Sequence, residues 1–255
     1  MSFAVAATAY DRFMGRYSEP LAPPFADFAG VSGGQRVLDV GSGPGALTGE
    51  LVRRLGPASV SAVDPSEPFV AAALERFPEV TVHHASAEAL PFAAGEFDAV
   101  LAQLVVHFMA DPVGGIREMA RVTRPRGVVA ACVWDHAGTG GPLSRFWQAA
   151  HELTLDLDDE SRLPGAREGH LAELFDTAGL DDVEDGSLSI SVEHPTFEDW
   201  WEPFTLGVGP AGAHVAALDP SARELLRERC RERLPEPPFV VTARAWAARG
   251  RAPAS

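Results

Sequence analysis

The run Val37-Leu38-Asp39-Val40-Gly41-Ser42-Gly43-Pro44-Gly45 limits the fold of this chain more than any other feature. A strand-like apolar stretch breaks directly into alternating glycines. Glycine has no Cβ and tolerates positive φ, so the chain can turn sharply there and a ligand can lie against bare backbone. Immediately after, Leu47, Leu51 and Leu55 recur at four-residue spacing with Arg53 and Arg54 opposite, an amphipathic helix that stops at Gly56 and Pro57. Strand, bare turn and helix in that order open a βαβ unit, which lays parallel strands beneath helices.

The alternation continues. Short β-branched runs at 36–40, 59–63, 80–84, 97–103 and 127–134 read as five strands. Ser66 and Asp111 stand where helices over 68–77 and 112–122 take their N-caps, and the third and fourth strands are joined mainly by loop. Past Asp135 a Gly-rich turn over 136–142 leads to a helical stretch holding Phe146 and Trp147. An acidic, solvated stretch over 156–160 follows, then a helix over 168–178 that stops at Gly179. Alternating Leu188, Ile190 and Val192 and the run over 239–246 give two more strands, which pair at the sheet edge.

The expected fold is α/β: a Rossmann-like, seven-stranded, mostly parallel sheet with an antiparallel edge strand, in three αβα layers. One domain over 1–255 is expected, with an N-terminal helical cap over 1–30, a core over 31–135 and a helical lid insertion over 195–236. That insertion holds Trp200, Trp201, Phe204, a turn at Gly209-Pro210 and an Arg/Glu helix over 221–234.

Composition removes several functions. A net charge of −15 repels phosphate backbones, so no nucleic-acid partner is expected. No apolar run approaches a membrane span, and no membrane association is expected. The chain has neither Lys nor Asn, which excludes a pyridoxal Schiff base, a P-loop lysine and N-glycosylation. Both missing residues have A-rich codons, which points to a GC-rich bacterial gene. Cys132 and Cys230 make no disulfide framework and are expected as free thiols. The first ten residues carry no basic run ahead of apolar side chains, so no secretory leader is expected and the default compartment is cytoplasmic.

The glycine spacing bears on the ligand. A nicotinamide-dependent oxidoreductase would prefer G-x-G-x-x-G beneath a pyrophosphate, whereas this chain has G-x-G-x-G with Asp39 two residues ahead of the first glycine. That acid repels a pyrophosphate and suits a cofactor carrying a sulfonium and an ammonium. Twenty-five residues after Asp39, the second strand ends at Asp64-Pro65-Ser66. A carboxylate at that tip can accept from both hydroxyls of a ribose lying across the sheet's switch point.

On these residues, over about 37–134, the chain resembles the class I S-adenosylmethionine-dependent methyltransferases, especially small bacterial enzymes acting on small molecules. The resemblance implies that Gly41, Ser42 and Gly43 cup the methionine part of S-adenosylmethionine, that Asp64 takes the ribose, and that Pro65 and Ser66 border the adenine. The family often carries Asp-Ala ahead of a Leu-Pro-Phe run. Here that segment reads Ser86-Ala87-Glu88-Ala89-Leu90-Pro91-Phe92, with Ser86 in place of the acid and Glu88 as the compensating group. Gln103, ending the fourth strand, joins the same set. Arg126 stands where a glycine is common, a turn variant. The opening Tyr10-Asp11-Arg12-Phe13-Met14-Gly15-Arg16-Tyr17 is similar to a segment that closes over the cofactor, which assigns Tyr10 and Arg16 to the methionine end. Its other reading is an amphipathic helix docking Phe13 and Tyr17.

The expected reaction moves a methyl group to a small organic acceptor and leaves S-adenosylhomocysteine. In-line displacement needs alignment more than a base, but a hydroxyl or ammonium acceptor must lose a proton. His107, just past the tip of the fourth strand, is the candidate base; its other reading is a residue at a helix start bonded to backbone near Asp111. Phe146, Trp147, Trp200, Trp201 and Phe204 are the candidate acceptor pocket, or else a satellite core. The adjoining His83 and His84 point to opposite strand faces, and no metal is expected. Two other functions remain open: a nicotinamide-dependent oxidoreductase, and a protein that binds S-adenosylmethionine without transferring methyl groups.

Overall fold

The structure, a computed structural model, describes residues 7–153, 157 and 159–254. Met1 to Ala6, Asp156 and Asp158, on which parts of the leader and acidic-stretch readings fall, lie outside the described residues. The strands are β1 (Val37–Val40), β2 (Val60–Asp64), β3 (Thr81–His84), β4 (Phe97–Gln103), β5 (Thr123–Trp134), β6 (Asp181–His194) and β7 (Phe239–Arg251). The α-helices are α1 (Ala7–Tyr10), α2 (Arg16–Phe28), α3 (Ala46–Leu55), α4 (Glu67–Arg76), α5 (Pro112–Val122), α6 (Ser144–Leu153), α7 (His170–Ala178), α8 (Phe197–Trp201), α9 (Gly209–Ala217) and α10 (Pro220–Arg233).

The seven strands form one sheet in the order β3-β2-β1-β4-β5-β7-β6. β1 to β5 pair in parallel, and β7 runs antiparallel to both β5 and the outermost strand β6. The order reverses between β1 and β4, so the crevice beyond their carboxyl ends is where an open α/β sheet binds ligands. Side-chain alternation divides the core. Val37, Ala99 and Leu101 face Leu21, Phe25, Leu47 and Leu51 of α2 and α3, while Leu38, Val40, Val100 and Ala102 face Ile116 and Met119 of α5 and Phe175 of α7. Strand residues two apart share a face, so one sheet buries two helical layers.

Local chemistry matches most of the expected ends. Asp111 caps α5 by accepting from the Gly114 N–H at 2.9 Å, and Gly179 ends α7 in the left-handed region. Ser66 holds the N-cap position of α4 but makes no side-chain cap bond; its backbone N–H donates to Asp64 instead. Arg126 has φ +63°, the conformation glycine adopts freely, and its guanidinium pairs with Asp181 and Asp182. Cys132 and Cys230 are buried free thiols. Among the described residues no helix is long and apolar enough to cross a membrane.

Candidate functional site

The glycine turn is held by the strand beside it. Gly41 and Ser42 donate their N–H groups to the Val63 carbonyl of β2 at 2.8 and 3.0 Å. Gly41, Gly43 and Gly45 all have positive φ. They differ in surroundings. A Cβ on Gly41 would lie 2.4 Å from Val105 Cγ2, whereas one on Gly43 would meet nothing within 4 Å. Gly41 is therefore required by packing, and Gly43 leaves bare backbone facing an open hollow.

Two carboxylates shape this region. Asp64, at the tip of β2, accepts from the Gly43 N–H and the Ser66 N–H, each at 2.8 Å. It ties the glycine turn to the start of α4. Burial pushes its pKa up, while those two N–H groups and His84 pull it back. Asp39 is 1% exposed and accepts from the Thr48 hydroxyl of α3 at 2.6 Å. Burial, offset by the Thr48 bond and reinforced by the Asp64 charge, pushes Asp39 up to about 7.

Three hollows meet here. One of about 400 Å³ is lined by Tyr10, Ser18, Asp39, Ser42, Gly43 and Gln103. A second, of about 470 Å³, lies over Gly41, Gly43, Asp64, Pro65, Ser66 and Phe69. The third, of about 420 Å³, lies over Phe13, His107, Phe108, Trp134, His136 and Leu143. Tyr10 and Leu104 line all three. Leu104 has φ +63°, a conformation that costs a non-glycine residue about 1–2 kcal/mol. Strain of this kind concentrates at ligand sites. Tyr10 precedes a π-helical turn over Asp11–Gly15, a local distortion also frequent at such sites. Gln103 donates from Nε2 to the Ser18 carbonyl at 2.9 Å, while its buried Oε1 has no partner among the described residues.

Gly41, Ser42, Gly43, Asp64, Pro65, Ser66, Gln103 and Tyr10 are thus brought together, and Arg16 is not. Its guanidinium donates to Asp199 Oδ2 and to the Asp199 carbonyl, both at 2.9 Å, and lies 3.2 Å from His194 Nδ1. The ion pair turns Arg16 toward α8 and away from the glycine turn. Ser86, Ala87 and Glu88 also line none of the three hollows. Ala87 is buried in the α5 core. Glu88 Oε1 accepts from the N–H groups of Ala110 and Asp111, which occupies the carboxylate expected to compensate for Ser86.

The five aromatic residues expected around an acceptor form packed core instead. Phe146 stacks on Phe204 with centroids 4.5 Å apart, and Trp200 lies 4.8 Å from Phe204. Phe146, Trp147, Trp200, Trp201 and Phe204 are all buried, and none lines the third hollow. Their rings gain more from one another than from an open surface, since aromatic contacts add to area burial.

His107 sits on a single 3-10 turn over Val106–Phe108 and lines the third hollow at 5% exposure. Burial, together with neighbouring His136, holds its pKa well below the usual imidazole range, so the ring is neutral at pH 7. Its Nδ1 has no partner among the described residues, which leaves no backbone bond there of the kind a purely structural role required. Sequence reasoning missed His136, Trp134, Leu104, Phe69 and Phe108. They are separated along the chain and meet only because the β1, β2, β4 and β5 tips adjoin. The acidic stretch is not solvated at its end: Glu160 is buried and accepts from Trp147 Nε1 at 3.1 Å.

A reversal point carrying a bare glycine turn, faced by an acid at the neighbouring strand tip, defines a methyltransferase-type Rossmann-like domain. Residues 38–131 match the family model of the methyltransferase domain, and over that segment the chain is similar to methyltransferase domains. An uncharacterized methyltransferase of Mycobacterium tuberculosis is 37% identical over 135 residues, 53% of this chain and 52% of that protein. An uncharacterized protein of Mycobacterium bovis is 36% identical over 128 residues, 49% of this chain and 46% of that protein. The chain spans about half the length of the curated relatives it matches.

Among solved structures, phosphoethanolamine N-methyltransferase 2 of Haemonchus contortus, in complex with phosphomonomethylethanolamine and S-adenosylhomocysteine, superposes with a TM-score of 0.61 at 19% identity. The match covers 97% of this chain and 57% of that one. The [4+2]-cyclase SpnF superposes with a TM-score of 0.55 at 20% identity, covering 93% of this chain and 81% of that one. At these identities the likeness is one of fold.

Proposed function

We propose that this protein transfers a methyl group from S-adenosylmethionine to a small organic acceptor. The observation that carries the reading is the junction of three hollows at Tyr10 and Leu104, two over the glycine turn and one beside His107. The residues fit the cofactor. Asp39 and the unpartnered Gln103 Oε1 are acceptors for an ammonium, Asp64 for ribose hydroxyls, and Pro65 and Phe69 are apolar neighbours for an adenine. The bare face of Gly43 leaves room for it. When bound, this cofactor supplies an electrophilic methyl group on a cationic sulfur.

The chain's own work is alignment, exclusion of water and handling of one proton. Phe13, Phe108 and Leu143 keep the acceptor hollow apolar, and the neutral His107 ring can accept the acceptor's proton. His107→Gln is expected to lower turnover by about 100-fold or more on an acceptor that must be deprotonated, with S-adenosylhomocysteine affinity unchanged. Unaltered turnover across pH would remove His107 as base.

An oxidoreductase role is disfavoured because the buried Asp39 lies beside the glycine turn, where a pyrophosphate would have to sit. The likeness to a cyclase is a reminder that fold alone does not fix the reaction. Thermal shift decides between cofactors: S-adenosylhomocysteine is expected to raise the melting temperature and NAD is not. Mass spectrometry of extracts given isotopically labelled S-adenosylmethionine then finds the product. Cofactor binding with no labelled product on any acceptor would favour a protein that binds without transferring.

Asp39 adds a pH signature. Its pKa of about 7 means that the free protein carries a proton there below that pH. A cation bound alongside favours the carboxylate, so binding releases up to one proton at about pH 6. Affinity is expected to rise with pH up to about 7 and then level off. Calorimetry in buffers of different ionisation enthalpy measures the release; identical heats across those buffers at pH 6 would contradict it.

A further inference from the structure

Three buried nitrogens around one hollow bond to nothing among the described residues: Trp134 Nε1, His107 Nδ1 and His136 Nε2. Trp134 ends β5, His136 follows it, and His107 follows β4, yet all three line the hollow of about 420 Å³. The two imidazole rings lie 5.5 Å apart. Buried polar groups nearly always have partners, so three orphans at one hollow mark a place where a ligand's polar group belongs.

A count of donors and acceptors narrows that partner. The indole N–H can only donate. Neutral His107 keeps one ring nitrogen as an acceptor. Glu160 Oε2 lies 3.8 Å from His136 Nδ1, and its field favours the proton on that nitrogen, which leaves Nε2 as an acceptor too. A hydroxyl serves the donor and one acceptor together, since it accepts from the indole and donates to one imidazole. An ammonium can donate to both imidazoles, but it leaves the indole unmet and brings a positive charge among the apolar walls. A carboxylate only accepts, and it carries a charge into a hollow walled by Phe13, Leu104, Phe108 and Leu143.

On the methyl-transfer reading above, we propose that this hollow takes an uncharged phenol-like hydroxyl on an apolar ring, with Trp134 donating to its oxygen and His107 removing its proton. His136, oriented by Glu160, is a positioning residue beside it. The acceptor's O–H bond breaks and its proton passes to the imidazole. An oxygen lone pair forms the new oxygen–carbon bond, and the carbon–sulfur electron pair stays with sulfur in S-adenosylhomocysteine. The positive charge lost at sulfur reappears on the imidazolium.

The test uses 2-naphthol as probe on the wild-type protein saturated with S-adenosylhomocysteine. Calorimetry compares it with 2-methylnaphthalene, 2-naphthylmethylamine and 2-naphthoate. Naphthol is expected to bind at least about tenfold more tightly than each. Trp134→Phe should remove most of that margin while leaving the affinities for 2-methylnaphthalene and S-adenosylhomocysteine unchanged. Glu160→Gln should shift the pH profile of naphthol methylation; Tyr10, His107, His136 and Glu160 are the titratable groups lining the hollow. An unchanged profile overturns the positioning role. Equal or absent binding of naphthol and methylnaphthalene, with S-adenosylhomocysteine still bound, overturns the hydroxyl assignment alone. No binding of S-adenosylhomocysteine overturns the methyl-transfer reading and the acceptor role with it. The analogue series needs no variant, so it decides the assignment even if Trp134→Phe does not fold.

Discussion

Asp64→Ala lowers the affinity for S-adenosylhomocysteine by about 100-fold or more, measured by calorimetry, with far-UV circular dichroism unchanged. That factor corresponds to about 2.7 kcal/mol. It has two sources. The carboxylate accepts from the Gly43 and Ser66 N–H groups at 2.8 Å each, so its removal frees the glycine turn from the tip of β2 and leaves two amides without their charged acceptor. A hydrogen bond to a charged group contributes about 1.5–3 kcal/mol. The same oxygens are the acceptors proposed for the ribose hydroxyls. Asp64→Asn keeps the volume but turns an NH2 group toward one of those amides, and a loss of about tenfold is expected. Unchanged affinity in the alanine variant would overturn the cofactor assignment.

Gly41→Ala destabilises the protein by about 2–5 kcal/mol, the sum of two costs. Left-handed backbone costs a Cβ-bearing residue about 1–2 kcal/mol, and overpacking costs about 1–3 kcal/mol. The second applies because the new Cβ would lie 2.4 Å from Val105 Cγ2, a short branched side chain with little freedom to move. In a chain of this size that loss lowers the melting temperature by roughly 4–20 °C. Gly43→Ala is the contrasting variant. It pays only the backbone cost, because its Cβ meets nothing within 4 Å, but it projects into the open hollow. Gly43→Ala should therefore weaken S-adenosylhomocysteine binding with a small change in melting temperature, whereas Gly41→Ala should show the larger fall in melting temperature. Identical behaviour of the two would show that the hollow is not where the cofactor lies.

The parts of the site that were legible in the sequence share one property: each lies within a few residues of a strand tip. Gly41 to Gly43, Asp64 to Ser66 and Gln103 follow or end β1, β2 and β4, and alternation of apolar residues locates those tips. The misplaced residues depend on side-chain partners far along the chain. Arg16 is claimed by Asp199, and Glu88 by the backbone before α5. Phe146, Trp147, Trp200, Trp201 and Phe204 carry no local mark that separates a ring facing a ligand from a ring facing another ring.

The sequence alone settled the parallel core, its bare turn and the acid opposite, because strand period, glycine conformation and chain direction act over a few residues. Tertiary structure alone decided that His136, Trp134 and Glu160 join His107 around one hollow, while the aromatic insertion closes into core. Those outcomes turn on which distant surfaces meet and which polar atoms are left without partners, and neither quantity exists until the sheet has brought the tips of β4 and β5 together.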